Sequence, residues 1–312
     1  MEQPLVTIGA IGYNNASYVI ETLDSIKNQT YGNIELIITD DCSTDESVVG
    51  IIKEWLKDYD KPYQFIINEK NKGGAAACNA AIHAAKGKYI SLVATDDILM
   101  PDKTRVQVEI LENADIDVGV VYSDAYMIDE KSALKDGMFI QLKNLNAPPS
   151  GDVYDSILNG DLWFHGAAAL IKAECYKKVG LYEDWILSED IDILLRLSRQ
   201  YKFIFSEYVS EKYRVRGDSL TRTNTWYASQ IQVFARNIPY SKVALSRMDA
   251  AAASAYVTDD KKALDILPQY KHLSIYIEFI LMLKKARIPK AISRVLLFCL
   301  RKYLQAYRFI VS

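Results

Sequence analysis

Three adjacent pairs of acids carry the chemistry legible in this chain. Asp40 and Asp41 close the apolar run Ile34–Thr39, and Asp96 and Asp97 follow Tyr89–Val93 in the stretch VATDDILMPDK. Neighbouring carboxylates repel each other and resist desolvation, so they persist at the tip of a buried strand where a cation or hydrogen-bond donors compensate them. Side chains of an extended chain alternate faces, which separates Asp96 from Asp97 in role. One suits a metal and the other a sugar hydroxyl. Mg²⁺ or Mn²⁺ fits such a carboxylate when diphosphate oxygens supply further ligands. The plainer alternative is that the pair caps the helix beginning near Pro101. The third pair, Glu189-Asp190 in WILSEDIDILLRLSRQ, opens a helix. There, a Ser188 cap and acids favouring the helix dipole form the bland alternative.

These acids need elements to position them. Leu5–Ile11 reads as a buried strand, broken at Gly12-Tyr13-Asn14-Asn15 and followed by a helix from about Ser17 to Asn28 with Val19, Leu23 and Ile26 at helical spacing. The strand ending at Asp40-Asp41 precedes a helix carrying Val48, Ile51, Ile52 and Trp55. Tyr63–Ile67 is a third strand, Gly74–Ala85 an alanine-rich helix, and the strand before Asp96 the fourth. Alternation of this kind implies βαβ units and a parallel sheet, whose ligands lie beyond the carboxyl ends of the strands. Asp40, Asp41, Asp96 and Asp97 should therefore gather at one edge. A strand over Val118–Ser123 follows, then a looser hairpin and excursion over 124–160. Gly166–Ile171 returns to the sheet, Glu189–Gln200 is a helix, and Phe203–Phe205 and Val209–Val215 are two short strands. From about Trp226 the pattern is helical.

The bulk numbers bound the class. The 312 residues are half hydrophobic and a quarter charged, an ordinary globular balance. The start MEQPLVTIGAIGYNN lacks the basic and apolar regions of a signal peptide, and no apolar run is long enough to span a bilayer. Cys42, Cys78, Cys175 and Cys299 show no paired spacing. They read as reduced thiols of a cytoplasmic protein, and nothing points to nucleic acid. The net charge of −3 hides an asymmetry, because residues 271–312 hold nine Lys or Arg and one acid, Glu278. Such a segment suggests a basic surface for an anionic partner.

Taken together, TIGAIGYNNASYVIETLDSIKNQTYGNIELIITDDCSTDES and NKGGAAACNAAIHAAKGKYISLVATDDILMPD closely resemble family 2 glycosyltransferases. The resemblance spans residues 4–130, and more weakly 160–220. It implies an α/β, Rossmann-like GT-A fold with a mostly parallel central sheet flanked by helices. Residues 1–225 would form the catalytic domain, with 1–100 the nucleotide-binding half and 101–225 the acceptor-binding half, and 226–312 a helical extension. The implied activity is inverting, metal-dependent transfer from a UDP- or TDP-sugar to a hydroxyl of a saccharide or lipid-linked acceptor in cell-surface polysaccharide synthesis (capsule or O-antigen). Carried over by position, Tyr13 would border the base and Asp41 would accept its N3–H. Asp96 would hold the ribose or donor sugar, Asp97 would bind Mn²⁺ or Mg²⁺, and Lys72 would approach the donor. Ile11 stands where the family usually has Thr or Ser, and it cannot donate a hydrogen bond. Asp190, with Glu189 as second choice, would be the general base. Arg216, in YRVRGDSLTR, stands where His is common before a mobile loop and would clamp the diphosphate. His165, Trp163 and Trp185 would flank the acceptor, although a lone His among apolar residues and a buried Trp are more often structural.

The carboxyl end lies beyond that resemblance. Arg287, Arg294, Arg301 and Arg308 recur every seven residues, which places them on one slowly drifting helical stripe. A basic amphipathic helix over 287–312 suits peripheral contact with an anionic membrane, while a helix packed on the protein with its basic side solvated is the alternative. A nucleotide-sugar-binding scaffold without activity is the competing non-enzymatic reading. A nucleotidyltransferase would want a basic, glycine-rich loop after the first strand and a dinucleotide enzyme GxGxxG, and GAIGYNNASY supplies neither.

Overall fold

The computed structural model describes residues 3–140, 145–186, 188–217 and 226–311. It divides into two compact units, the first spanning 1–185 and 189–217, the second 186–188 and 218–312.

Unit 1 begins with the expected alternation of β1 (Val6–Gly12), α1 (Val19–Lys27), β2 (Ile34–Asp40), α2 (Ser47–Leu56), β3 (Tyr63–Ile67), α3 (Gly74–Ala84) and β4 (Tyr89–Ala94). It continues through β5 (Ile98–Leu99), α4 (Lys103–Glu112), β6 (Val118–Ile128), β7 (Leu134–Met138), α5 (Tyr154–Asn159), β8 (Ala169–Lys172), α6 (Ala173–Val179), α7 (Glu189–Ser198) and β9 (Lys202–Arg214). One sheet runs in the order β3-β2-β1-β4-β8-β6-β9-β5, with β7 added on β6. The half formed by β1 to β4 is parallel, with Val6 opposite both Ile34 and Tyr89. Its strands are apolar on both faces because helices cover both sides, so Ile8, Ala10, Leu36 and Ile38 are fully buried. The other half is mixed, since β8 lies antiparallel to β4 and β6 while β9 lies parallel to β6.

Sequence and structure part company at β9. The two expected short strands are one strand of 13 residues. Its pairing with β6 jumps from Ser123↔Ser206 to Ala125↔Glu211, so a bulge absorbs the polar stretch that resembles a break. Beyond the bulge, β9 pairs antiparallel with β5, Leu99 opposite Glu211 and Ile98 opposite Lys212. That pairing brings Glu211 beside the Asp96-Asp97 turn.

A buried carboxylate locks the parallel half. Glu35 on β2 accepts from the Lys86 and Gly87 backbone N–H groups at 2.6 and 3.1 Å and from Thr7 Oγ1. Gly87 is required there, because a Cβ would lie 2.5 Å from Thr7 N.

Unit 2 is helical, with α8 (Trp226–Asn237), α9 (Lys242–Thr258), α10 (Lys261–Ile266), a 3-10 segment (Leu267–Leu273), α11 (Ile275–Lys285) and α12 (Lys290–Val311). Ser241, Asp260 and Ser274 cap α9, α10 and α11 through side-chain oxygens. The four-arginine stripe needs correcting. Arg287 lies in the turn before α12 with φ 53°, so it leaves the helical row, and Arg294 and Arg301 carry it. The side chains of Arg308, Tyr303, Tyr307 and Ile310, and residues 218–222 of the YRVRGDSLTR segment, lie outside the described residues.

Replacing Glu35 by Ala leaves the Lys86 N–H and the Thr7 hydroxyl without this acceptor, while the Gly87 N–H keeps Thr7 Oγ1 at 2.9 Å. We expect a loss of roughly 2–4 kcal/mol in urea-induced unfolding.

Candidate functional site

The carboxyl ends of β1, β2 and β4 supply the first part of the site. Asn14, with φ 57°, accepts from Thr44 N and Asp45 N at 2.8 and 3.1 Å through its side chain, tying the loop after β1 to the loop after β2. Asp40 is occupied with structure, accepting from Ser43 N at 2.9 Å. Asp41 is buried and collects donors from the next loop. Asn68 Nδ2 approaches at 2.7 Å, Gly73 N at 2.7 Å, and Lys72 N stands 3.1 Å from both carboxylate oxygens. The Gly73 turn needs φ 88°, so glycine suits it. Tyr13 is exposed at the same edge and Ile11 is partly buried in β1.

The second part is the Asp96-Asp97 turn. β4 ends at Ala94, so the two aspartates sit in a turn rather than on an extended strand. Arg214, whose side chain is fully buried, holds that turn. Its backbone N–H donates to Asp97 Oδ1 at 2.8 Å and its Nε to the Asp96 carbonyl at 2.7 Å. Its remaining donors reach Asp129 O at 3.1 Å, Ser132 Oγ at 2.9 Å and Glu21 Oε2 at 2.5 Å. Thr22 Oγ1 donates to the Asp97 carbonyl at 2.7 Å. Arg216 spans Asn15 Oδ1 at 2.7 Å and Asp96 Oδ2 at 3.1 Å, and both guanidiniums lie over the Tyr18 ring. The pair does not cap α4, whose N-cap position is Asp102.

Asp97 faces two partners that the turn alone does not reveal. His165 Nδ1 lies 2.7 Å from Glu211 Oε1 and 4.0 Å from Asp97 Oδ2. Donor atoms of Asp97, His165 and Glu211 all fall within 4.8 Å of one another. Burial raises the Asp97 pKa well above the usual carboxylate range, and the Glu211 charge adds to the effect. Burial opposes a charge on His165, but Glu211 by charge and hydrogen bond, then Asp97 and Asp190, outweigh it and lift its pKa to about 10. In the protein alone a protonated imidazole therefore lies between the Asp97 and Glu211 carboxyl groups. Glu211 Oε2 is buried with no hydrogen-bond partner among the described residues. An unsatisfied carboxylate oxygen beside a second carboxylate and an imidazole is a donor set that fits a divalent cation. Beneath it, Lys103 is buried against Ser91 Oγ, Gln107 Oε1 and Ala169 O, and burial pushes its pKa down to about 7.

The third part is the start of α7. Arg196 fixes this helix, bonding Asp192 one turn back at 2.8 Å and the carbonyls of Val179 and Leu181 at 2.7 and 2.6 Å. Asn79 on α3 exchanges two hydrogen bonds with the Tyr182 backbone. Glu189 Oε1 lies over the start of α3, 3.6 Å from where a Cβ on Gly74 would stand. Burial, then the charge of Asp190, raises the Glu189 pKa to about 7. Asp190 reaches solvent yet is crowded by protein, and desolvation raises its pKa too. Ser188 does not cap the helix, since its buried Oγ has no hydrogen-bond partner among the described residues. Trp163 lines a small apolar cavity with Asp190, Ile191 and Leu194, while Trp185 is half-exposed and bonds Glu183.

The structure thus brings together Asp96, Asp97 and Arg216, and separately Trp163 with Asp190. His165, expected beside an acceptor, lies against Asp97. Sequence reasoning missed Glu211, Arg214 and Asn15. A carboxylate and a guanidinium spaced three apart in an otherwise strand-like SEKYR run were the available signal.

Residues 8–179 match the profile of Glycosyl transferase family 2. The chain belongs to this family. An uncharacterized glycosyltransferase of Methanocaldococcus jannaschii is 31% identical over 217 residues, covering 69% of this chain and 72% of the relative. Glycosyltransferase GlyG of Streptococcus pneumoniae is 29% identical over 247 residues, covering 75% and 79%. Among solved structures, S. aureus TarS in complex with UDP-GlcNAc superposes with a TM-score of 0.64 at 12% identity, covering 88% of this chain and 83% of that one. The mannosyltransferase of Pyrobaculum calidifontis in complex with GDP-Man and Mn²⁺ gives 0.57 at 21%, covering 90% and 84%. These likenesses establish a GT-A-like fold, a sheet flanked by helices with a helical region after it.

Three outcomes follow from the geometry. Arg214→Met strands the Asp96 and Asp129 carbonyls and a buried turn, and should cost roughly 2–4 kcal/mol by urea denaturation, with Lys recovering less than half. A raised carboxyl pKa stabilises the fold below its unfolded value and loses that contribution as pH rises through about 7 for Glu189. Glu189→Gln should therefore flatten the decline of Tm between about pH 4.5 and 7. In Asp190→Asn, with the neighbouring charge gone, NMR should show Glu189 titrating at lower pH than in the parent protein.

Proposed function

We propose that this family 2 glycosyltransferase moves a sugar, with inversion, from a UDP- or TDP-sugar to a hydroxyl of a saccharide or lipid-linked acceptor in cell-surface polysaccharide synthesis. The observation that carries the reading is the order of charge along one sheet edge. A nested carboxylate, Asp41, is followed by the Asp97, His165 and Glu211 cluster and then by two acids of raised pKa at α7, near enough that Asp190 acts on the His165 charge. Solved neighbours carry UDP, UDP-GlcNAc, or GDP-Man with Mn²⁺, which supports a nucleotide-sugar donor.

In this reading Tyr13 borders the base. Asp41, set in place by Asn68, Lys72 and Gly73, accepts the pyrimidine N3–H. Ile11 adds no donor. Lys72 and Arg216 face the diphosphate, and Asp96, already oriented by Arg216, takes a ribose or sugar hydroxyl. Asp97, His165 and Glu211 hold the divalent cation, and the imidazole favours Mn²⁺ over Mg²⁺. When bound, that cation neutralises charge on the departing diphosphate. Asp190 takes the proton of the acceptor hydroxyl as its oxygen bonds to the anomeric carbon from the face opposite the nucleotide. The bond to diphosphate breaks, and its electron pair leaves with the nucleotide. The raised pKa of Asp190 makes it a stronger base than an ordinary aspartate. Glu189, its own pKa raised, stands beside it as the second acid, and Trp163 and Trp185 offer aromatic faces to the acceptor.

Calorimetric titration with UDP tests the reading. Binding should require Mn²⁺, vanish with chelator, and weaken at least about tenfold in Asp97→Asn. Asp190→Asn should leave UDP affinity nearly unchanged and lower transfer by roughly 10²–10⁴. Because the cation must displace the His165 proton, Mn²⁺ affinity should rise between pH 6 and 8, by up to about tenfold per unit. Absence of binding to UDP, TDP and GDP under all these conditions would refute the donor assignment.

A further inference from the structure

The last helix of unit 2 exposes an apolar side. Ser293 and Leu297 turn inward, Ser293 Oγ lying 3.0 Å from Tyr256 OH and the Leu297 carbonyl accepting from Tyr276 OH at 3.3 Å. Turned away from them, Ile292, Val295 and Leu296 are 54%, 61% and 38% exposed, and Cys299 is exposed as well. Their spacing of i, i+3, i+4 and i+7 makes one continuous face, and Phe298, 62% exposed, widens it. Arg294 and Arg301, seven apart, run between this face and the inward side, and Lys302, one turn beyond Phe298 and over its ring, stands at the carboxyl end of the face. Contiguous apolar surface of this kind marks an interaction site.

Charge selects the partner. From Lys284 to Lys302 there are seven Lys or Arg and no acid. Where α12 begins, Lys261, Lys284, Arg287 and Lys290 line a cleft of about 470 Å³, in which Lys284 pairs with Asp265 at 3.2 Å and Lys290 with Asp259 at 3.5 Å, so the lining keeps a net positive charge. A second copy of this chain is disfavoured, because a two-fold pairing through α12 would set the arginine rows against each other. Nucleic acid leaves the apolar face unsatisfied. No described helix is long and apolar enough to cross a membrane. A helix with one apolar face and a cationic border matches the interface of an anionic bilayer, where apolar side chains enter the acyl boundary and Arg and Lys remain at phosphate depth.

We propose that α12 docks on an anionic phospholipid surface, with Ile292, Val295, Leu296 and Phe298 entering the lipid and Arg294, Arg301 and Lys302 meeting the phosphates. The inference rests on the preceding reading only for its use, the meeting with a lipid-linked acceptor. Flotation of the full chain with phosphatidylcholine vesicles, with and without phosphatidylglycerol, tests it. The protein should float with the anionic vesicles alone and be released by high salt. The bound fraction should fall at least about tenfold in Val295→Glu/Phe298→Glu and markedly in Arg294→Gln/Arg301→Gln. Calorimetry with UDP on the same variants reports unit 1 separately. Flotation without UDP binding in the parent protein would keep the docking and remove the donor assignment. The proposal is overturned if the parent protein stays out of anionic vesicles, or if the glutamate variant floats like the parent. It is equally overturned if the parent is a dimer in solution that the glutamate variant dissociates while neither binds vesicles.

Discussion

Two carboxylates, Asp97 and Glu211, must stay close together where water is largely excluded, and the rest of the site is arranged around that cost. An isolated buried carboxylate takes up a proton rather than remain charged. Here the opposing donors come from β9 and the loop before β8. Arg214 supplies its backbone N–H to Asp97 and its guanidinium to the Asp96 carbonyl, and His165 stands between the two acids. Neither donor is near Asp97 in sequence. The bulge in β9 and its pairing with β5 place Arg214, and the position of β8 between β4 and β6 places His165, so the topology of the mixed half of the sheet sets the surroundings of both acids.

The same constraint explains what the sequence revealed. The parallel half was legible because βαβ units announce themselves through apolar strands and helical spacing, and strand ends locate ligand-facing acids without knowledge of any contact. Asp41, Asp96 and Asp97 were singled out this way, whereas Glu189 and Asp190 were singled out as an acid pair opening a helix. Glu211 and Arg214 were not, because their importance comes from a register jump that makes two strand-like fragments into one strand. His165 was visible as a histidine among apolar residues, but its partner was 46 positions away and unrecognised. The four-arginine stripe failed for a local reason. A repeat of seven predicts a shared face only inside a continuous helix, and the backbone at Arg287 turns left-handed before α12 starts.

The acids at the ends of β2 and β4 and the acid pair at α7 are built to different standards of rigidity. Asp41 is gripped by three residues of one loop, and the Asp96-Asp97 turn by Arg214, Thr22 and Arg216. Asp190, by contrast, accepts from Ile191 N of its own helix at 2.8 Å and reaches solvent. Firm donors suit a diphosphate whose position must be fixed, while an accessible acid of raised pKa suits a base that must meet a second substrate.

The central claim is that Asp97, His165 and Glu211 form one cation site rather than a salt-bridged cluster. Pulsed electron paramagnetic resonance of the protein with substoichiometric Mn²⁺ tests it most directly. The structure predicts nitrogen coupling from one imidazole, lost in His165→Gln, and weaker Mn²⁺ binding in Glu211→Gln. Bound Mn²⁺ without nitrogen coupling, at an affinity unchanged by Glu211→Gln, would contradict it.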